Sequence, residues 1–515
     1  MDRLVSRVPG TMASTPADDS VSPDHSCFPS CPQHIVAYIE EHFGPITGIT
    51  EAQSAQQRVL LLSVTARDGP YSDESEDAQL SHSPHTPRTT LVDIKLVVRI
   101  WKGGSRWWNL HQPTAAAVQA LARSEIAGYR VARHCLRRSV PDTITTTTTT
   151  HHQRNCHELN TPTTTVDCHG RDPSPTHRPA LRIPRVRYEC LPEPQRDAAG
   201  NAAPWAVLEY IGADGDLSTD DSWITGMIRT RTEFGLDEPH PRWGRVPTER
   251  ALEYTLLVLR SVILPLHRSM NATPNHDDIP GIDGLHGYRN CCSGDRTEAN
   301  NPRGIGFSDM LQLYERTVHK LNALVTTPAT RDDRKLAKGV ELLAFAVTKL
   351  QKDASFLAES SILSLLPPVL CHMDCQPQNL LFVKCATTSL SPTASPKPDD
   401  PVLRVEVSSV LDWEEAAYAD PRFELLLLCR KVCANRSQAD RVWETYRREL
   451  PQPHLGPIDP WLRLETVHSL TTLLLQAMKV GGRSPWESQP DLWGKIQREF
   501  QRLPDSWDIH LDSSL

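Results

Sequence analysis

Two short polar signatures, each at the end of an apolar run, constrain this chain of 515 residues more than any other feature. The first is C-H-M-D-C-Q-P-Q-N, Cys371 to Asn379, entered from Val369-Leu370 and left through Leu380 to Phe382. The second is V-L-D-W-E, Val410 to Glu414, which closes the run from Val405 to Leu411. Short apolar runs bounded by turn residues read as buried strands. The order is therefore strand, loop, strand, turn, strand, aspartate. A lone aspartate after a strand is ordinarily a turn or cap residue. Here His372, Asp374, Asn379 and Asp412 all sit at strand ends, and a fold that gathers those ends gives the set a common use. Pro377 fixes φ two residues before the asparagine, which helps to aim its amide.

The spacing of His372, Asp374 and Asn379 is that of the kinase catalytic loop H-R-D-x-x-x-x-N, with Met373 where the arginine stands. Kinase-type phosphoryl transfer needs an aspartate near the acceptor hydroxyl, an asparagine for one magnesium and a later aspartate for the bridging metal. With methionine in that place and L-D-W-E around Asp412, the chain resembles the aminoglycoside phosphotransferase and choline kinase branch of the protein-kinase-like fold. That branch carries H-x-D-x-x-x-x-N and I-D-W-E or I-D-W-G. Ala419-Asp420-Pro421, followed by Glu424-Leu425, is similar to its G-D-P-x-x-D-L-A stretch, with Ala419 replacing glycine and Glu424 replacing aspartate. The resemblance implies an α+β, two-lobed architecture: an N-lobe antiparallel sheet with one main helix, and a mostly α-helical C-lobe. It implies ATP and Mg²⁺ as cofactors, Asp374 as catalytic base, and Asn379 and Asp412 as metal ligands. Mg²⁺ takes few protein carboxylates and draws its remaining ligands from phosphates and water. Trp413 is expected in the core, and Glu414 either supports or faces the metal. His372 is expected to tie the loop to a backbone carbonyl.

Residues 33–211 would form the N-lobe. Gln33 to Phe43 has helical spacing, and Ile46 to Glu51 and Arg58 to Thr65 read as strands. The turn between them lacks G-x-G-x-x-G, and Ser54 with its neighbouring amides would meet phosphate there. Leu91 to Trp101 has the β-branched density of a buried strand. The resemblance places the phosphate-binding cation at Arg99, with Lys95 on the same strand face as the alternative. Thr114 to Leu136 reads as the main helix, and its Glu125 would pair with that cation. Arg182 to Tyr188 resumes the sheet. Trp205 to Ile211 ends it at a hinge, where Glu209, Tyr210 and Ile211 would offer backbone groups to adenine.

Residues 212–515 would form the C-lobe, with helices at Thr248–Met270, Phe307–Leu324, Arg331–Lys352, Leu425–Val432, Asp440–Leu450, Trp461–Val480 and Pro490–Leu503. The surplus length falls in biased segments: a tail over 1–32, a threonine-rich insertion over 143–177, and insertions near 271–304 and 387–401. A net charge of −8 disfavours nucleic acid or an anionic membrane surface as a partner. The most apolar run, Ala251 to Leu266, is broken by Glu253 and Arg260 and is too short for a membrane span. Asp18, Asp19 and Asp24 argue against a transit peptide, so the cytosol is the expected compartment.

The 13 cysteines are scattered and read as free thiols, and the His/Cys tract from His151 to His169 lacks the ligand spacing of a zinc site. The acceptor is expected to be a small hydroxylated molecule. Asp214, Asp216, Asp220 and Asp221 beyond the hinge suit a cationic one, although antibiotic, choline-like, sugar and amino-acid acceptors are not separated. The alternative is a catalytically silent, kinase-like binding module, motivated by the glycine-poor loop, Arg99 in place of lysine, and the insertions.

Overall fold

The computed structural model describes residues 32–53, 57–67, 91–101, 115–138, 181–191, 203–211, 249–273, 275–288, 304–327, 330, 333–359, 366–376, 379–386, 403–432, 436–450, 455–478, 486 and 489–507. Two compact units divide the chain, one made of Met1–Ala52 with Leu60–Ile94, the other of Gln53–Val59 with Lys95–Leu515. In the first, helix α1 (Gln33–His42) buries Ile35, Val36 and Ile39. Strand β1 (Ile46–Gln53) lies beside β2 (Gln57–Arg67), with Thr47 Oγ1 donating to the Ser63 carbonyl at 3.2 Å.

The second unit contains an antiparallel ribbon made of the part of β3 (Leu91–Trp101) from Lys95 onward, β5 (Trp205–Glu209) and β4 (Val186–Cys190), in register at Leu96↔Glu209 and Arg99↔Ala206. Helix α2 (Ala115–Arg138) buries Leu121, Ile126, Tyr129 and Ala132 at helical spacing. The rest of this unit is mostly helical: α3 (Glu249–Val258), α4 (Leu264–Ala272), α5 (Phe307–Val325), α6 (Arg334–Glu359), α7 (Pro421–Val432), α8 (Arg436–Glu449), α9 (Asp459–Met478) and α10 (Leu492–Phe500). Trp461 of α9 is fully buried, in edge contact with Phe307 and Phe423 and beneath the Arg422 guanidinium.

Two departures from the sequence pattern have physical causes. The helix expected over Thr248–Met270 is interrupted by a π turn, Leu259–Ile263. Pro265 follows, and its missing N–H and ring oppose a regular i→i−4 ladder at that point. The segment near 271–304, expected as an insertion with little to bury, contributes to the core over 275–288. Ile279, Ile282, Leu285 and Tyr288 are all buried, and their spacing of three suits the 3₁₀ turns His276–Asp278 and Ile282–Gly284. A search for helical or strand periodicity passes over such a pattern.

Candidate active site

Short antiparallel pairs gather the two polar signatures. Strand β6 (Val369–Cys371) pairs with β9 (Ala417–Ala419), and β7 (Leu380–Ala386) pairs with β8 (Leu403–Val410). The loop leaving β6 and the turn leaving β8 are thereby brought together. Two hydrogen bonds fix them there: His372 Nε2 lies 2.8 Å from the Leu411 carbonyl, and the Leu411 amide donates to the Asn379 carbonyl at 2.8 Å. His372 Nδ1 accepts from the Asp374 amide at 3.1 Å, so Nε2 carries the proton it gives to Leu411. The expected structural role for this histidine matches its contacts.

Within the loop, the Asn379 amide nitrogen donates to the Asp374 carbonyl at 3.0 Å and to Asp374 Oδ2 at 2.9 Å, and Gln376 Nε2 reaches the same Oδ2 at 2.9 Å. Both Asp374 atoms are acceptors, which fixes the orientation of the Asn379 amide and turns its Oδ1 away from the aspartate. Met373 adopts φ 68°, and its amide donates to Glu424 Oε2 of α7 at 2.8 Å. A left-handed non-glycine residue needs such support from its surroundings. The longer glutamate in place of the aspartate still reaches the loop.

On the other side, Arg99 and Trp101 project from one face of β3, one pleat apart. Arg99 Nη1 meets Glu125 Oε1 at 2.5 Å and Trp101 Nε1 donates to Glu125 Oε2 at 2.6 Å, so both carboxylate oxygens of a fully buried side chain are held. Arg99 Nη2 reaches Asp412 Oδ1 at 2.6 Å. The guanidinium thus joins the α2 glutamate to the turn aspartate, 313 residues away in sequence. Lys95 instead lies over the Tyr210 ring at 5.7 Å. Arg99 is the cation held at the carboxylates.

Tyr129, one helical turn beyond Glu125, was visible in the sequence only as an apolar position of α2. Its hydroxyl accepts from Arg99 Nη1 at 3.0 Å and from the Asp412 amide at 3.3 Å. Asp412 itself has φ 61°. Trp413 is fully buried, with His372 in edge contact at 4.5 Å.

Carboxyl groups crowd this site. Burial, together with Asp412 and Glu415, pushes the Glu414 carboxyl up to about 9. Burial also raises Glu125, while Arg99 pulls it back down. Burial opposes the charge on Arg99, but Glu125 and Asp412 hold the guanidinium charged. Such surroundings favour a further cation. Among the described residues no trio of His, Cys, Asp or Glu converges on a metal position. An Asp412 carboxylate and the Asn379 Oδ1, which is turned away from Asp374, are hard oxygen donors that fit Mg²⁺, which takes its other ligands from phosphate and water.

At the proposed hinge, the Glu209 amide donates to the Arg185 carbonyl at 2.8 Å and its carboxylate meets Arg182 at 3.2 Å. Its amide is thus committed to the sheet. Ile211 is buried. Ser54, Pro377, Asp214, Asp216, Asp220, Asp221 and the His151–His169 tract lie outside the described residues. Cys371, Cys375 and Cys429 are buried and take part in no disulfide. No described helix is long and apolar enough to cross a membrane.

No protein-family model and no curated protein matches the chain. Among solved structures, it is similar to a thermostable mutant of aminoglycoside phosphotransferase APH(4)-Ia in ternary complex with AMP-PNP and hygromycin B. That match has 11% identity and a TM-score of 0.36, and covers 91% of this chain and 98% of the other. The macrolide 2'-phosphotransferase MphH from Brachybacterium faecium matches with 12% identity and a TM-score of 0.38 over 90% and 98%. An aminoglycoside phosphotransferase from Alicyclobacillus acidocaldarius matches with 11% identity and a TM-score of 0.34 over 93% and 96%. Function is therefore inferred from the chemistry of the site.

Proposed function

We propose that this chain is an ATP-dependent phosphotransferase of the two-lobed, kinase-like kind, moving the γ-phosphoryl group to a hydroxyl of a small molecule. One observation carries this conclusion: the Arg99–Glu125 pair converges on Asp412, whose turn is fastened through Leu411 to the loop bearing Asp374 and Asn379. A purely structural ion pair would not need a loop in which His372, Asp374, Gln376 and Asn379 are all oriented by hydrogen bonds. Asp374 orients the acceptor hydroxyl and takes its proton as the phosphoryl group departs. Gln376 and Asn379 hold that carboxylate in place. Arg99 supplies positive charge for the phosphates, and Glu125 with Trp101 keeps it in position. Asp412 and Asn379 would hold Mg²⁺, which neutralises phosphate charge when bound. Backbone groups around Glu209 and Ile211 would meet the adenine edge. The acidic surroundings favour a cationic hydroxyl compound among possible acceptors.

The test is ADP release from Mg-ATP across a library of hydroxylated amines, sugars, antibiotics and amino acids, with Asp374→Asn in parallel. Turnover on one class, lost in the variant, is the expected result. Binding of Mg-ATP without turnover on any compound would favour the silent module, and failure to bind nucleotide would overturn both.

A further inference from the structure

Tyr129 belongs to neither polar signature, yet its hydroxyl on α2 touches both Arg99 of β3 and the Asp412 turn. A phenol oxygen can accept two hydrogen bonds and donate one. Here it accepts from Arg99 Nη1 at 3.0 Å and from the Asp412 amide at 3.3 Å. Both of its acceptor positions are used. Asp412, with φ 61°, lies in the left-handed region, which aspartate tolerates but which persists only when its surroundings hold it. The bond from its own amide to Tyr129 supplies that hold.

Resting on the phosphotransferase reading, we propose that Tyr129 is a positioning residue for Asp412: it fixes the backbone that aims the metal-binding carboxylate and couples that aim to the Arg99–Glu125 pair. A phenylalanine would preserve the ring's packing beside Trp413, 6.4 Å away, while releasing the amide. The consequence is a defect in metal-dependent binding with little change in the fold.

The experiment compares wild type and Tyr129→Phe, as full chains, in two measurements. Calorimetry with AMP-PNP should show affinity reduced about tenfold in the presence of Mg²⁺, and unchanged without it, at a melting temperature within a few degrees of wild type. Hydrogen exchange of the nucleotide-free protein should show the Asp412 amide exchanging at least about tenfold faster, with the peptide over 371–376 unaffected. The second measurement needs no nucleotide. If wild type binds no nucleotide, the phosphotransferase reading fails, and with it the metal-aiming role of Tyr129, while the exchange result still decides whether Tyr129 holds this backbone. Unchanged exchange at Asp412, or equal losses with and without Mg²⁺, would overturn the proposal.

Discussion

Arg99 is the residue on which the two halves of the site depend, because Glu125 is fully buried and has no water to replace a lost partner. Removing one member of a buried pair leaves an uncompensated charge, at a cost of about 3–5 kcal/mol. Arg99→Met should destabilise the protein by that order in chemical denaturation. Glu125→Gln alongside it should restore part of the loss, since the orphaned charge is then gone. A second expectation concerns Asp412, whose side chain is 29% exposed and so less dependent on the pair. Asp412→Ala should fold normally and lose magnesium-dependent nucleotide binding in calorimetry, whereas undiminished metal-dependent affinity would remove it from the metal site. Asp374→Asn separates catalysis from binding: on a verified substrate, turnover should fall by ~10²–10⁴ while Mg-ATP affinity changes little. Equal losses in rate and affinity would point to a metal or folding role for this residue. The candidate residues at this scale were legible because their types are chemically restricted. Arg99 could be named but not separated from Lys95, since strand alternation puts both on one face. Tyr129 could not be named at all, because a tyrosine at a helical core position carries no mark of what its hydroxyl touches.

At the scale of elements, the closeness of α2 to the Asp412 turn matters more than the propensity of either. Gly128 sits on α2 where an added Cβ would lie 2.8 Å from the Ala416 Cβ and 3.0 Å from the Trp413 Cβ. Neither neighbour is the free end of a flexible chain, so the helix or the turn must move. Alanine would gain about 1 kcal/mol of helix propensity over glycine, but overpacking of this kind costs about 1–3 kcal/mol. Gly128→Ala should therefore leave stability nearly unchanged or lower, and weaken Mg-nucleotide binding by displacing Asp412. An unaltered affinity would show that the turn yields without consequence. Ser124 makes a neighbouring connection, donating to the Ala416 carbonyl at 2.7 Å while accepting from the His286 amide at 3.0 Å. The strand from Leu91 to Trp101 was readable to the residue because Val92, Ile94, Val97, Val98 and Ile100 give it a high density of β-branched residues. The fold of 275–288 was not, because glycine and aspartate dominate its composition and its core contacts recur every third residue.

Across the whole molecule, the response to acid should be set partly by one histidine far from the proposed metal ligands in sequence. His267 on α4 is buried with Nδ1 2.9 Å from the Tyr446 hydroxyl, and burial lowers its pKa to about 3. In the unfolded chain it would titrate near the ordinary value of about 6.5. Between those values the unfolded state binds a proton that the native state refuses, so stability rises with pH. The contribution is complete above about pH 6.5 and is lost as pH falls towards 3. This histidine should add up to about 1.4 kcal/mol per pH unit to the slope over that window. His267→Gln should accordingly flatten the dependence of unfolding free energy on pH between 6 and 4, whatever it does to stability at pH 7. Denaturant titrations at half-unit intervals measure the slope directly. A variant with the wild-type slope would mean that His267 titrates alike in the folded and unfolded chain, and that its burial among Leu266, Met270 and Tyr446 does not exclude the proton.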